Sequence, residues 1–291
     1  MSNQGLNRPN MSRPNKRSAK LIFLHIPKAG GSTLRHLLHK QYPAEQVYKI
    51  ESDINGDIQR FTQLNEADRT PIQLITGHMS YGLHQCLPGA KYLSFLRDPI
   101  NRVISEFAFV SGNPHHVLYE SVKHMSLSEY LRCGLSSQIS NGQTRLIGGV
   151  CQDHCVGVPS NRAITEADYQ RALYHLEESF ILPSTLAFYD ETLLLWGKQF
   201  GWPLPLYLRE NVTPGIRLIP TATERQEILD INHWDTKLYA VVHDKIQNHI
   251  NAQGPVFRAR LKGFKKANWL YGKSVAARRL LKAKYTTRAA V

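Results

Sequence analysis

Four cysteines in 291 residues are too few to staple a chain of this length, so a disulfide framework is excluded. No apolar run reaches the ~18 residues that a membrane-spanning helix needs. The first twenty residues, MSNQGLNRPNMSRPNKRSAK, lack the apolar stretch of a secretory signal. There is no internal repeat. Acidic residues are missing from both ends: residues 1–20 hold five Lys/Arg, residues 255–291 hold eleven, and neither stretch has an Asp or Glu. With these classes set aside, the length suits one large α/β domain, or a domain with a cap.

The net charge of +13 is therefore unevenly placed. Residues 21–254 hold 20 Lys/Arg against 23 Asp/Glu, a net −3. The chain divides into a basic N-terminal tail (1–20), a near-neutral body (21–254) and a basic C-terminal extension (255–291). An acidic glycan, nucleic acid or an anionic membrane surface would suit such ends. Residues 273–284, KSVAARRLLKAK, read as a basic amphipathic helix or equally as solvated tail.

Within the body, strands are expected at 21–26, 72–76, 91–96 and near 185–188. Helices are expected at 31–40, 57–67, 99–110, 126–133, 138–147 and 165–179. One more would be capped by Asp190, and a long one would run from the T-x-x-E start at Thr221 to about Ile250. Residues 148–164 read as an irregular loop. Strands alternating with helices argue for a P-loop-like, three-layer α/β fold: a central parallel sheet with helices on both faces.

Two segments carry chemistry. LIFLHIPKAGGSTLRHLL (21–38) is a buried strand, a glycine turn and a helix start, which together make an anion cradle of backbone N–H groups. Lys28 adds a mobile point charge, and Ser32 and Thr33 add hydroxyls. It is not the nucleotide-triphosphate loop G-x-x-x-x-G-K-[ST], because the lysine precedes the glycines. An ordinary βα turn with two glycines would look similar. In KYLSFLRDPINRVISEFAF (91–109), Asp98-Pro99 starts a helix at a strand's carboxyl end, where α/β sheets bind ligands. Arg97 and Ser105 there would suit a second phosphate, while a capped helix with a salt-bridged arginine is the plainer alternative.

Together the segments resemble the sulfotransferases that use 3′-phosphoadenosine 5′-phosphosulfate (PAPS), most of all the carbohydrate enzymes of the heparan sulfate 2-O and 6-O type and their bacterial counterparts. HIPKAGGSTL resembles their 5′-phosphosulfate loop and FLRDPINRVISEF their 3′-phosphate segment. ITGHMSYGL (75–83), NGQTRLIGG (141–149), LAFYDETLLLWGKQFGW (186–202) and RENVTPGI (209–216) extend the likeness over about residues 20–250. The resemblance implies that Lys28, with the loop Ala29, Gly30, Gly31, Ser32 and Thr33, holds the 5′-phosphosulfate, and that Lys28 stabilises the leaving oxygen. Arg97 and Ser105 would hold the 3′-phosphate, with Arg209 and Thr213 lining the nucleotide pocket. His78 would be the base, although this chain has Thr76-Gly77-His78 where those relatives carry His-Gly-His. His84 and Arg145 would meet the substrate, Glu106 is the next carboxylate to test, and His25 would support the cradle.

PAPS would be the donor and adenosine 3′,5′-bisphosphate (PAP) the product, with no metal required. The acceptor would be a carbohydrate or glycolipid hydroxyl, with no specific nucleic-acid partner, and the enzyme cytoplasmic with a peripheral membrane contact open to its basic ends. Cys151-Gln-Asp-His154-Cys155 lacks the second ligand pair of a usual zinc site. Two other readings stay open: a nucleotide-dependent kinase on a P-loop-like fold, and a non-catalytic polyanion-binding protein.

Overall fold

The computed structural model describes residues 19–150, 162–208 and 218–288. In chain order the elements are β1 (Leu21–Leu24), α1 (Gly31–His39), β2 (Val47–Ile50), α2 (Ile54–Gln63), α3 (Glu66–Arg69), β3 (Leu74–Gly77), β4 (Lys91–Leu93) and β5 (Phe95–Leu96). They continue with α4 (Pro99–Gly112), α5 (Tyr119–Val122), α6 (Leu127–Arg132), α7 (Gly142–Ile147), α8 (Glu166–Glu178) and β6 (Ser184–Thr185). Last come α9 (Tyr189–Phe200), α10 (Ala222–Ile231), α11 (His233–Asn251) and α12 (Pro255–Arg288).

The central sheet is parallel, in the order β2-β3-β1-β4. Only Ser94 separates β4 from β5; its Oγ donates to the Leu24 carbonyl at 2.8 Å, tying the break to β1. β5 then pairs in parallel with β6, so the sheet continues past β4. Alternate residues feed opposite layers. Ile22, Leu24, Ile50 and Ile75 pack with residues of α2, α8 and α11. Leu21, Phe23, Leu74 and Leu93 pack with residues of α1, α9 and α12. The three-layer parallel α/β architecture expected from the sequence is the one observed. A satellite core joins α4, α6 and α10 through Val103, Tyr130 and Ile228.

Boundaries moved where local chemistry intervened. β1 stops at Leu24 with one further ladder bond, His25 N–H to the Gly77 carbonyl (3.0 Å), before Pro27, which has no N–H to offer. The helix expected over 57–67 starts at Ile54, capped by Asp53, and ends before Asn65 caps α3. The stretch 138–147 is broken by Asn141, whose φ of 50° is left-handed. Asp190 lies inside the first turn of α9 rather than capping it, and accepts from the Tyr207 hydroxyl at 2.6 Å. The helix expected from Thr221 to Ile250 is two helices. Asn232 breaks it, because its side-chain amide is drawn to the Ile139 and Ile228 carbonyls (2.9 and 3.0 Å).

Candidate active site

The carboxyl ends of three strands converge. His25 follows β1, His78 follows β3 and Arg97 follows β5. Between β1 and α1 the loop turns through Lys28 (φ 63°) and Gly30 (φ 79°), both left-handed. Gly30 caps α1 without a side chain, so the outward-pointing end of this helix meets no carboxylate or hydroxyl from its own cap residue. At Gly31 a Cβ would lie 1.8 Å from the His25 ring, so only glycine lets that ring lie against the helix start. α4 differs: Asp98 caps it, accepting from the Asn101 N–H at 2.9 Å.

The two motif segments touch directly. Arg97 Nη1 donates to the Lys28 carbonyl at 2.8 Å. The Lys28 side chain leans towards α4, its Nζ 3.8 Å from the centre of the Phe109 ring, so it is parked on an aromatic face rather than waving in solvent. Burial lowers the Lys28 pKa, opposed by Glu106 and reinforced by Arg97. Burial also lowers that of Arg97. Neither cation has an ion pair with a carboxylate among the described residues. Two half-buried cations that feel Glu106 and Asp98 but form a salt bridge with neither, beside an uncapped helix start, fit an anionic ligand with two charged groups. Ser105 sits half-buried on α4 next to Glu106, whose buried Oε2 has no hydrogen-bond partner.

His78 Nδ1 lies 2.9 Å from the His25 carbonyl. A carbonyl only accepts, so Nδ1 carries the proton and Nε2 keeps its lone pair. The His25 and His78 rings stack with centroids 4.2 Å apart. Burial first, then Arg35 and Lys28, push the His78 imidazole down to about 4, the bond to His25 opposing them. It is therefore neutral at neutral pH, as a proton acceptor must be. His25 is lowered well below its ordinary value by burial and by His78.

Residues 15–172 match the family model described as "Sulfotransferase family". This chain belongs to the sulfotransferase family. That membership sets aside the kinase reading. No curated protein matches the chain. Among solved structures, the sulfotransferase is similar to mouse sulfotransferase SULT7A1 complexed with PAP, at 13% identity over 85% of this chain and 83% of that one, with a TM-score of 0.39.

The structure does not bring every expected residue to the strand ends. His84 sits with Tyr81 and Tyr92, its Nδ1 3.1 Å from the Tyr92 hydroxyl, and Tyr92 pairs with Ile22 near the start of β1. Arg145 is buried and donates to the Arg162 carbonyl at 3.0 Å. Arg209, Thr213 and the Cys151–Cys155 segment lie outside the described residues. Among the described residues no three His, Cys, Asp or Glu are grouped to hold a metal ion, and no helix is long and apolar enough to cross a membrane.

Sequence reasoning missed what holds Arg97. Gln143 grips its backbone twice, accepting from the Arg97 N–H and donating to the Arg97 carbonyl, both at 2.9 Å. Asp235 in turn caps α7 through the Gln143 and Thr144 N–H groups (3.1 and 2.7 Å). It also faces Arg102 at 3.8 Å, both side chains fully buried. The signal was present in NGQTR, but its partners Asn232 and Asp235 lie more than ninety residues away, at the break before α11 and in its first turn.

Proposed function

We propose that this sulfotransferase moves a sulfuryl group from PAPS to a hydroxyl of a carbohydrate or glycolipid acceptor by in-line displacement. The observation that carries the reading is the meeting of Arg97 with the Lys28 backbone, two cations in no salt bridge among the described residues, beside a histidine whose Nδ1 is engaged and whose Nε2 keeps its lone pair. Lys28 and the loop from Ala29 to Thr33 hold the 5′ end of the donor, Arg97 and Ser105 its 3′-phosphate, and Arg209 and Thr213 its nucleoside. The donor supplies the activated sulfuryl group. His78 Nε2 takes the acceptor's hydroxyl proton while the acceptor oxygen bonds to sulfur and the bond from sulfur to the 5′-phosphate oxygen breaks. Lys28 offsets the charge left on that oxygen, so no metal is needed for this step.

Thermal-shift measurements with PAP and with ATP–magnesium test the donor, and transfer of labelled sulfate from PAPS to a glycan panel tests the reaction. PAP should stabilise the protein, and Lys28→Ala should abolish that stabilisation and lower turnover by roughly 10²–10³-fold. His78→Ala should keep PAP binding and lower turnover by roughly 10²–10⁴-fold. Stabilisation by ATP–magnesium without any by PAP would overturn the donor. Full turnover in His78→Ala would overturn the base.

A further inference from the structure

α12 carries two stripes of opposite character. Phe257, Leu261, Phe264 and Asn268, spaced four, three and four apart, face the layer of α1 and α9 and the segment at Tyr207. Lys262, Lys266, Trp269 and Lys273 repeat that spacing on the other side of the helix, and all four are exposed. Trp269 keeps 61% of its surface in water, with the exposed Leu270 beside it. Lys273 Nζ lies 5.4 Å from the centre of the Trp269 ring. Lys262, Lys266 and Lys273 form no salt bridge among the described residues. Residues 255–291 contain no Asp or Glu to answer them, and Glu191 of α9 is already paired with Lys265.

The exposed stripe runs towards the edge of the sheet that holds the site. Lys265 meets Glu191 in the first turn of α9. Asn268 holds the Tyr207 N–H, and the Tyr207 hydroxyl bonds Asp190 of that same turn. α9 starts soon after the carboxyl end of β6, and a Cβ on Gly30 would lie 3.7 Å from the Tyr189 ring. Trp269 and Lys273 therefore stand towards the strand ends where Lys28, His78 and Arg97 converge.

We propose that this exposed stripe of α12 docks the protein on an anionic lipid bilayer. The lysines gain from the field of acidic headgroups, and their long stems let the ammonium groups stay in the headgroup layer. Trp269 and Leu270 favour a bilayer over a soluble polyanion. A charged polymer supplies the opposite sign but no apolar layer, whereas a bilayer interface takes up both the charge and the indole. Docked in this way, the strand ends that form the site lie close to the lipid surface.

The test titrates the full chain with phosphatidylcholine vesicles containing phosphatidylserine, with pure phosphatidylcholine vesicles, with dextran sulfate and with a single-stranded DNA oligomer. The chain should sediment with the acidic vesicles and not with the neutral ones, and added salt should release it. Lys262→Gln/Lys266→Gln/Lys273→Gln should bind the acidic vesicles about thirtyfold or more weakly. Trp269→Ala should bind them about fivefold or more weakly. The four positions are exposed, so both variants should melt like wild type, and Arg225→Gln, an exposed charge lost from α10, should bind like wild type. Brominated acyl chains in the acidic vesicles should quench wild-type tryptophan fluorescence, and Trp269→Phe should lose that quenching. The proposal is overturned if wild type ignores the acidic vesicles, if either α12 variant binds them unchanged, or if bromine leaves the wild-type fluorescence intact. Binding to dextran sulfate or the DNA oligomer with none to vesicles would assign the stripe to a soluble polyanion and overturn the lipid.

Discussion

His78 is held in one tautomer by one hydrogen bond, and this ties its chemistry to a definite pH range. With Nδ1–H engaged by the His25 carbonyl, protonation must occur at Nε2, the same lone pair the reaction would use. Turnover should therefore stay level as pH falls from 7 to about 5 and drop through about 4, the shifted value, whereas an ordinary imidazole would already be half lost near 6.5. Stability moves in the same direction. The folded pKa is depressed, so between about 4 and 6.5 the unfolded chain binds the proton that the folded one refuses. The contribution is complete above 6.5 and is lost as pH falls towards 4. Melting curves and kcat/KM from pH 4 to 8 check both, with His78→Ala lacking this part of the stability slope. An acid limb centred near 6.5 would remove His78 from the role of base.

At the scale of elements, the cradle was legible because its parts are adjacent in sequence. An apolar run, two glycines and a helix start need no distant partner to be recognised, and the structure keeps all three. The same locality explains the capping boxes at Thr165 and Thr221, each of which starts the helix expected of it. What could not be read were elements decided by tertiary hydrogen bonds. Asn141 and Asn232 look like ordinary polar residues, yet each breaks a helical stretch, and they are bonded to one another's segments through the Asn141 N–H and Asn232 Oδ1 (2.9 Å). Arg102 stands three residues before Ser105 on α4, yet its guanidinium is wholly buried against Asp235, ninety residues and more along the chain. This buried pair locks α4, α7 and α11 together behind Arg97. Asp235→Ala should cost about 3–5 kcal/mol in urea unfolding, because it strands a buried guanidinium and uncaps α7. The paired replacement Arg102→Met/Asp235→Leu should recover part of that loss, since no buried charge is left alone. If Asp235→Ala unfolds at the wild-type midpoint, the pair contributes nothing to holding the segment in place.

For the molecule as a whole, the basic C-terminal stretch is not one thing. Composition groups residues 255–291 together, but the first half of α12 is built into the layer that α1 and α9 form against the sheet. Phe264 is 2% exposed, Phe257 and Leu261 pack beside it, and Lys265 pairs with Glu191 at 2.8 Å. The Asn268 side chain accepts from the Tyr207 N–H at 2.8 Å. Helix periodicity let cations and core residues share one stretch, which a charge count cannot separate. Further along, Trp269 and Leu270 are exposed, and residues 274–291 carry five of the eleven Lys/Arg. Two truncations separate these roles. Removing 255–291 strips apolar cover worth about 5 kcal/mol or more, which should lower Tm by roughly 10 °C or leave the protein insoluble. Removing only 274–291 should hold Tm within about 2 °C while weakening polyanion binding and flattening its salt dependence, because charge is lost and core is not. Equal melting of the longer truncation and the full chain would show that α12 is dispensable to the fold. A shorter truncation that bound polyanions as tightly as the full chain would move that affinity back to the body of the molecule.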